Sequence, residues 1–190
     1  MTEEIIITTA SSDEEITQIL SLQALNHKSN ITKEEAINNG FVTVRHTKSL
    51  LESICKPYAH VIARKDDKLV GYALVMLKEH IKVVPELNMM DAIINQITYN
   101  NKPLNEYSYL VMGQICVAEE VRGQKVFDRM YDFMQRYMGA HFDYIVTEVA
   151  DRNQRSLRAH QRVGFQIVHT YVEEAIDEVW NVVLLPTLQN

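Results

Sequence analysis

Apolar and polar residues change rhythm several times along the chain, and each change predicts an element. Residues 5–9 (Ile-Ile-Ile-Thr-Thr) form a β-branched run and predict a first strand. Ser11, Ser12 and Asp13 follow as N-cap candidates, with Glu14 and Glu15 in the first turn. Ile16, Ile19, Leu20 and Leu25 then keep helical spacing to about Asn26. Thr32-Lys33-Glu34-Glu35 reads as a capping box for a short second helix stopped by Gly40, and residues 47–54 predict another. Two apolar runs, 60–63 and 69–77, flank the polar turn Lys65-Asp66-Asp67-Lys68 and predict a hairpin. Residues 89–97 predict a helix and 100–103 a loop.

The second half is more regular. Residues 107–117 predict a long apolar strand, 123–138 a helix with Val126, Met130, Met134 and Tyr137 in register, and 142–149 a strand. Residues 153–163 predict a helix closed by Gly164, and 165–172 and 179–185 two further strands around the acidic stretch 173–178. The order strand, helix, strand, helix, strand, strand implies an α/β (α+β) chain whose mixed sheet is covered by helices.

Composition narrows the class. The 190 residues are 46% hydrophobic and 23% charged, ordinary for a globular chain and unlike disordered or collagen-like sequences. The length suits one domain, and no repeat, low-complexity segment or linker divides it. The net charge of −6 argues against a nucleic-acid partner. Cys55 and Cys116 lack a nearby second cysteine, and the seven histidines form no ligand spacing, so neither structural zinc nor another metal is expected. The acidic start and short apolar run of residues 1–7 do not read as a signal peptide, and no stretch is long enough to span a membrane. These features imply a cytoplasmic protein with reduced thiols.

Two stretches carry chemistry. In the first, Ile115-Cys116-Val117 ends a strand and a short polar loop leads to Arg122-Gly123 and the next helix. The first N–H groups of a helix lack internal partners, and the helix dipole favours an anion there. Gly123 permits close approach and Arg122 adds charge, so the loop is a candidate phosphate site; the alternative is a plain strand-to-helix turn. In the second, Asn153 and His160 are seven positions apart on one helix face, and Arg155, Arg158 and Arg162 share another. That basic face offers a second phosphate contact or a solvated surface with local ion pairs.

Together, in this order, Arg122-Gly123-Gln124 and the later Asn153, Ser156, Gly164 and Phe165 resemble the GNAT acetyltransferase superfamily. The resemblance is clear over residues 107–172, which would hold the acetyl-CoA-binding core of a single domain over 1–190. It implies the GNAT fold, with a mixed, mostly antiparallel sheet of six or seven strands flanked by helices. It implies acetyl-CoA as cosubstrate and transfer of the acetyl group to an amine by direct attack. In the family, the strand equivalent to Ile115, Cys116 and Val117 pairs with the pantetheine arm, and backbone amides near Val117 would polarise the thioester. The loop amides of Gly123, Gln124, Lys125, Val126 and Phe127, beside Arg122, would hold the pyrophosphate. Asn153 and Ser156 would meet the cofactor arm, and Arg158 a further phosphate.

Three positions depart from the family pattern. Lys125 stands where Gly is usual; helical backbone angles at Lys125 would preserve the turn. Phe127 stands where Gly or Ala is common. His160 replaces the Tyr that commonly protonates the departing thiolate, and an imidazole can take that acid role. No general base stands out: Glu148, Glu119 and Glu120 are near the two stretches, and strand alternation, which sets Leu110, Met112 and Gln114 on one face, places no carboxylate in the central strand. Lys125, Phe127 and the missing base leave a non-catalytic CoA-binding or sensor module as the alternative, and an interaction protein as a second. The acceptor, a small-molecule or peptide amine, is expected to be shaped by residues 32–51 and 80–105. The methionines at 89–90 and at 130, 134 and 138 read as core or dimer packing, and residues 173–178 as a solvated hairpin loop, the alternative being an acidic stretch that attracts a cationic amine.

Overall fold

The structure, a computed structural model, describes residues 4–27, 29–30 and 41–188. The helix expected from Thr32 lies outside the described residues. The first strand, β1 (Ile5–Thr9), leads into α1 (Asp13–Asn26). Ser12 caps this helix by accepting from the Glu15 N–H, and the Glu15 carboxylate accepts from the Ser12 N–H, a reciprocal pair that fixes where the helix begins. Helix α2 (Lys48–Ile54) starts at Thr47, whose hydroxyl caps the Leu50 N–H. Strands β2 (Val61–Lys65) and β3 (Lys68–Met76) form the expected hairpin, and α3 (Asn88–Ile94) follows two short 3-10 turns.

Residues 98–103 are more ordered than a plain loop. β4 (Thr98–Tyr99) and β5 (Lys102–Pro103) make a small ladder, with Asn100 and Asn101 at positive φ as a tight hairpin turn requires. Then come β6 (Tyr109–Val117), α4 (Val126–Met138), β7 (Tyr144–Ala150), α5 (Gln154–Arg162), β8 (Gln166–Glu173) and β9 (Glu178–Pro186).

Seven strands make one sheet in the order β1-β2-β3-β6-β7-β9-β8. Every pairing is antiparallel except β6 with β7. Helices α1 and α4 cover opposite faces: the Tyr72 hydroxyl reaches toward α1 through Gln114, whereas the adjacent Gly71 abuts Met130 of α4. The buried stripe of α4 is Val126, Met130, Tyr131, Met134 and Met138, so those methionines are core.

Two irregularities position the site. β6 and β7 pair only at Tyr109–Tyr144, Leu110–Ile145 and Val111–Val146. Beyond these, β6 stays with β3 up to Val117 and β7 with β9 up to Ala150, so the two strands splay apart. The β3–β6 register also shifts: Ala73 faces Ile115 but Val75 faces Met112, leaving Gly113 and Gln114 opposite Leu74. This bulge interrupts the simple alternation expected for β6.

Candidate active site

The splay opens a cleft between β6 and β7. Beyond Val111, the β6 edge that faces β7 has no strand partner among the described residues, which leaves its backbone polar groups available to a ligand. Two cavities occupy the opening, of about 870 Å³ and about 350 Å³, and both are lined by Phe41, Val42, Ile115, Asn153 and Ser156. They are the two ends of one groove.

The larger end is built by the loop after β6. Gly123 has φ 80° and Lys125 has φ 58° and ψ 22°, so Lys125 is left-handed and not at helical angles as the sequence suggested. The helix therefore starts at Val126, three residues after Gly123. Among the described residues, the N–H groups of Gly123, Lys125, Val126 and Phe127 meet no acceptor, and the first helical bond runs from Arg129 N–H to Lys125 O at 2.9 Å. A Cβ built on Gly123 meets nothing within 4 Å, so the approach to these donors is open. Phe127 does not block them: its ring packs edge-on against Tyr131 and His160, each at 5.1 Å.

Cations surround this loop. Arg122 donates to Val117 O at 3.3 Å and to Asn26 Oδ1 at 2.9 Å, which ties the loop to α1. Burial lowers the pKa of Arg155, and the neighbouring charges of Arg122 and Arg158 lower it further, evidence that three guanidiniums crowd here. Arg158 is exposed. Arg162 differs from the expected basic face: it makes two bonds to Asp128, at 3.0 and 2.8 Å, clamping α5 to α4. Of the residues expected to bind the cofactor, all but Gln124 line this end; the Gln124 amide turns back to Glu120 O at 3.4 Å. Cys116 is buried, and burial pushes its thiol up to about 12, so it stays protonated.

Asn153 caps α5, accepting from Ser156 N–H at 3.3 Å, and donates to Phe41 O at 3.3 Å. It thereby fastens the segment at Phe41 and Val42, which lines both cavities. His160 is 1% exposed. Its Nε2 accepts from the Tyr131 hydroxyl at 2.8 Å and its Nδ1 donates to Ser156 O at 2.8 Å. Burial pushes its pKa down to about 4, so the ring is neutral and its one proton is already engaged.

The smaller end is acidic. Glu86, Glu148, Glu173 and Glu178 line it with Arg152 and Trp180. Burial raises the Glu148 pKa to about 7, the hydrogen bond from Tyr171 lowers it, and the charge of Glu173 raises it further. The Tyr171 hydroxyl donates to Glu148 Oε2 at 2.6 Å. Glu173 and Glu178 thus line the groove, while residues 174–177 between them form an exposed turn whose Ile176 also borders the cavity. The sequence offered Glu148, on the strand before the Asn153 helix, among the candidate bases without singling it out. Tyr171, Trp180 and Phe41 went unnoticed, because only the order β7-β9-β8 brings the first two beside Glu148.

A family model described as the acetyltransferase (GNAT) family matches residues 29–165. The chain belongs to this family. No curated protein matches the sequence significantly. Among solved structures, Ard1 of Thermoplasma volcanium is similar with a TM-score of 0.66, at 12% identity over 97% of this chain and 99% of that one. The ribosomal-protein-S18-alanine N-acetyltransferase of Escherichia coli has a TM-score of 0.62 at 10% identity, covering 98% and 96%. A chain of the NatC complex bound to Gag peptide and CoA has a TM-score of 0.63 at 13% identity, covering 97% and 99%. At such identities the likeness is one of fold. It extends the GNAT arrangement over the N-terminal half, where the sequence motifs were silent. No helix of the described residues is long and apolar enough to cross a membrane, and among them no cluster of His, Cys, Asp or Glu could hold a metal.

Proposed function

We propose that this GNAT protein transfers the acetyl group of acetyl-CoA to an amine by direct attack. The observation that carries the reading is one groove with opposite chemistry at its ends: unpaired amides among cations at one, a carboxylate poised near neutrality at the other. The residues fit CoA. Amides of Gly123, Lys125, Val126 and Phe127 suit the pyrophosphate, with Arg122, Lys125 and Arg155 adding charge and Arg158 reaching a further phosphate. The free edge of β6 suits the amide-bearing pantetheine arm, as an added strand would. This leads the thioester to the bulge at Gly113 and Gln114, beside the second cavity.

Glu148 is assigned the base. As the amine nitrogen bonds to the acetyl carbon, its proton passes to the Glu148 carboxylate, and the bond to sulfur breaks with its electron pair, so that CoA departs as the thiolate. Ionised Glu148 is needed, so kcat/KM rises with pH through about 7. The Tyr171 hydrogen bond keeps the carboxylate oriented. With Glu148 as base, one motive for a non-catalytic reading, the missing base, falls away. His160 is assigned a positioning role between α4 and α5, since neither ring nitrogen has a proton to give into the groove.

The test begins with thermal unfolding against acetyl-CoA, with dephospho-CoA as control. At 100 times its Kd a ligand stabilises by about 2.7 kcal/mol, which at roughly 2–4 °C per kcal/mol raises the midpoint by several degrees. A smaller rise with dephospho-CoA assigns a 3′-phosphate contact to the Arg158 region. Acetylation of an amine panel follows. Glu148→Gln is expected to lower kcat/KM by about 10²–10⁴ and to flatten the ascending pH limb. An unshifted midpoint with both ligands removes CoA from the reading, and an unchanged pH limb in Glu148→Gln removes the base. His160→Phe, which loses both hydrogen bonds, is expected to lower stability while leaving the shape of the pH profile intact.

A further inference from the structure

The acidic end of the groove holds more negative charge than a single-amine acceptor calls for. Glu178 is buried and pairs with Arg152 Nε at 2.6 Å, which uses the cation of that cavity. Glu148 takes the Tyr171 hydroxyl, and Glu173 takes the Trp180 indole N–H at 2.9 Å. Among the described residues no basic side chain pairs with Glu148 or Glu173.

Register sets these groups on one face of the sheet. Glu148 of β7 and His169 of β8 both face Val182 of β9. One step further, Ala150 and Tyr171 both face Trp180, and one step beyond that stands Glu173. Alternate residues of a strand share a face, so the row carrying the Trp180 indole lies between Glu148 and Glu173. Both carboxylates open on the same cavity, and their charges are close enough for Glu173 to disfavour ionisation of Glu148. An aromatic ring between two carboxylates suits a methylene chain with a cation at each end. The cavity continues from the cofactor end of the groove, so it is an extension of the reaction site rather than a separate surface patch.

We infer that the acceptor is an aliphatic diamine or polyamine, whose reacting nitrogen sits at Glu148 while a distal ammonium is held by Glu173 across the Trp180 indole. This rests on the reading of the smaller cavity as the acceptor site. A peptide N-terminus, with its single cation at the reacting end, leaves Glu173 unmatched.

The experiment compares α,ω-diamines of graded chain length with n-alkyl monoamines of equal length, an ω-amino acid, and a short peptide with a free N-terminus and no basic side chain. Each is titrated calorimetrically into the protein with CoA present, and each is tried as acceptor with acetyl-CoA. The expected result is that the best diamine binds about tenfold more tightly than its monoamine, with the ω-amino acid weakest. Glu173→Gln is expected to bring the diamine-to-monoamine ratio close to one in both binding and KM, with its CoA affinity reporting an intact fold. Equal binding of diamine and monoamine, a preference for the peptide, or a ratio that survives Glu173→Gln overturns the inference. The two readings fail separately. Diamine binding that depends on Glu173 without any acetylation sinks the transferase reading and leaves the cation site, whereas efficient acetylation of monoamines and peptide alone does the reverse.

Discussion

Lys125 shows how a single departure from a family pattern can be absorbed. A left-handed backbone is natural for Gly and costs an L-residue roughly 1 kcal/mol. Here that conformation turns the chain from the 3-10 turn at Glu119–Val121 into α4, so the strain has a purpose. Lys125→Gly is expected to stabilise the fold by up to about 1 kcal/mol, read by thermal unfolding. The same substitution removes an ammonium from the phosphate end, so CoA affinity falls and depends less on salt. A variant that loses stability would mean that the Lys125 side chain itself anchors the turn. Glu148 carries the opposite trade. Its folded pKa of about 7 lies above the ordinary carboxylate value of 4.5, so the folded state holds the proton more tightly. Its contribution to stability is complete below 4.5 and lost as pH rises through about 7. Glu148→Gln is therefore expected to unfold at a higher temperature than the native chain at pH values above 7, the difference vanishing toward the acid side. A residue that weakens the fold at working pH while serving chemistry follows a common stability–activity pattern.

At the scale of elements, local periodicity made the helices and strands legible, because each depends on neighbours within one or two turns. The stripe of α4, the Ser12 and Thr47 caps and the hairpin of β2 and β3 are of this kind. The site motifs were legible for the same reason, since the phosphate loop and α5 are each one continuous segment. What stayed hidden depends on pairing between distant segments. The β6 bulge needs β3 opposite to exist, the splay needs β7 to leave β6 after Val146, and the Glu148–Tyr171 bond needs β9 between their strands. His160 looked like an acid because the sequence does not reveal Tyr131 beneath it. Contacts made by the chain end are equally invisible: Gly139 closes α4 against the backbone of Leu188, and Leu188 N–H bonds to Gln135 O at 3.4 Å. A Cβ at residue 139 meets that backbone, which cannot yield as a side-chain tip can. Gly139→Ala is expected to cost about 1–3 kcal/mol and to speed amide exchange at Thr187 and Leu188 before that of the sheet. Unchanged exchange there would show that the chain end is not held by α4.

Across the whole molecule, buried imidazoles tie distant layers together. His46 faces α1 and β6 through Gln23: the Gln23 amide donates to His46 Nδ1 at 2.8 Å and to Gln114 Oε1 at 2.7 Å, and Gln114 donates to Val44 O at 3.0 Å. His60 joins α2 to β3, with Nε2 donating to Leu51 O and Nδ1 accepting from Val75 N–H, both at 3.2 Å. His160 joins α4 to α5. Burial lowers all three from 6.5 to about 4, so the fold resists protonating them and the unfolded chain does not. For groups lowered in this way, stability is present above the unfolded value of 6.5 and is lost as pH falls toward about 4. Each imidazole contributes a slope of about 1.4 kcal/mol per pH unit inside that window. Glu148 opposes them between 4.5 and about 7, offsetting roughly one of the three. Denaturant unfolding followed from neutral to mildly acid pH is thus expected to show stability falling with a net uptake of about two protons. His60→Gln should lower that uptake by about one. A stability curve flat across this range would mean that the imidazoles titrate alike in both states, and the neutral, hydrogen-bonded rings that tie these layers together would have to be abandoned.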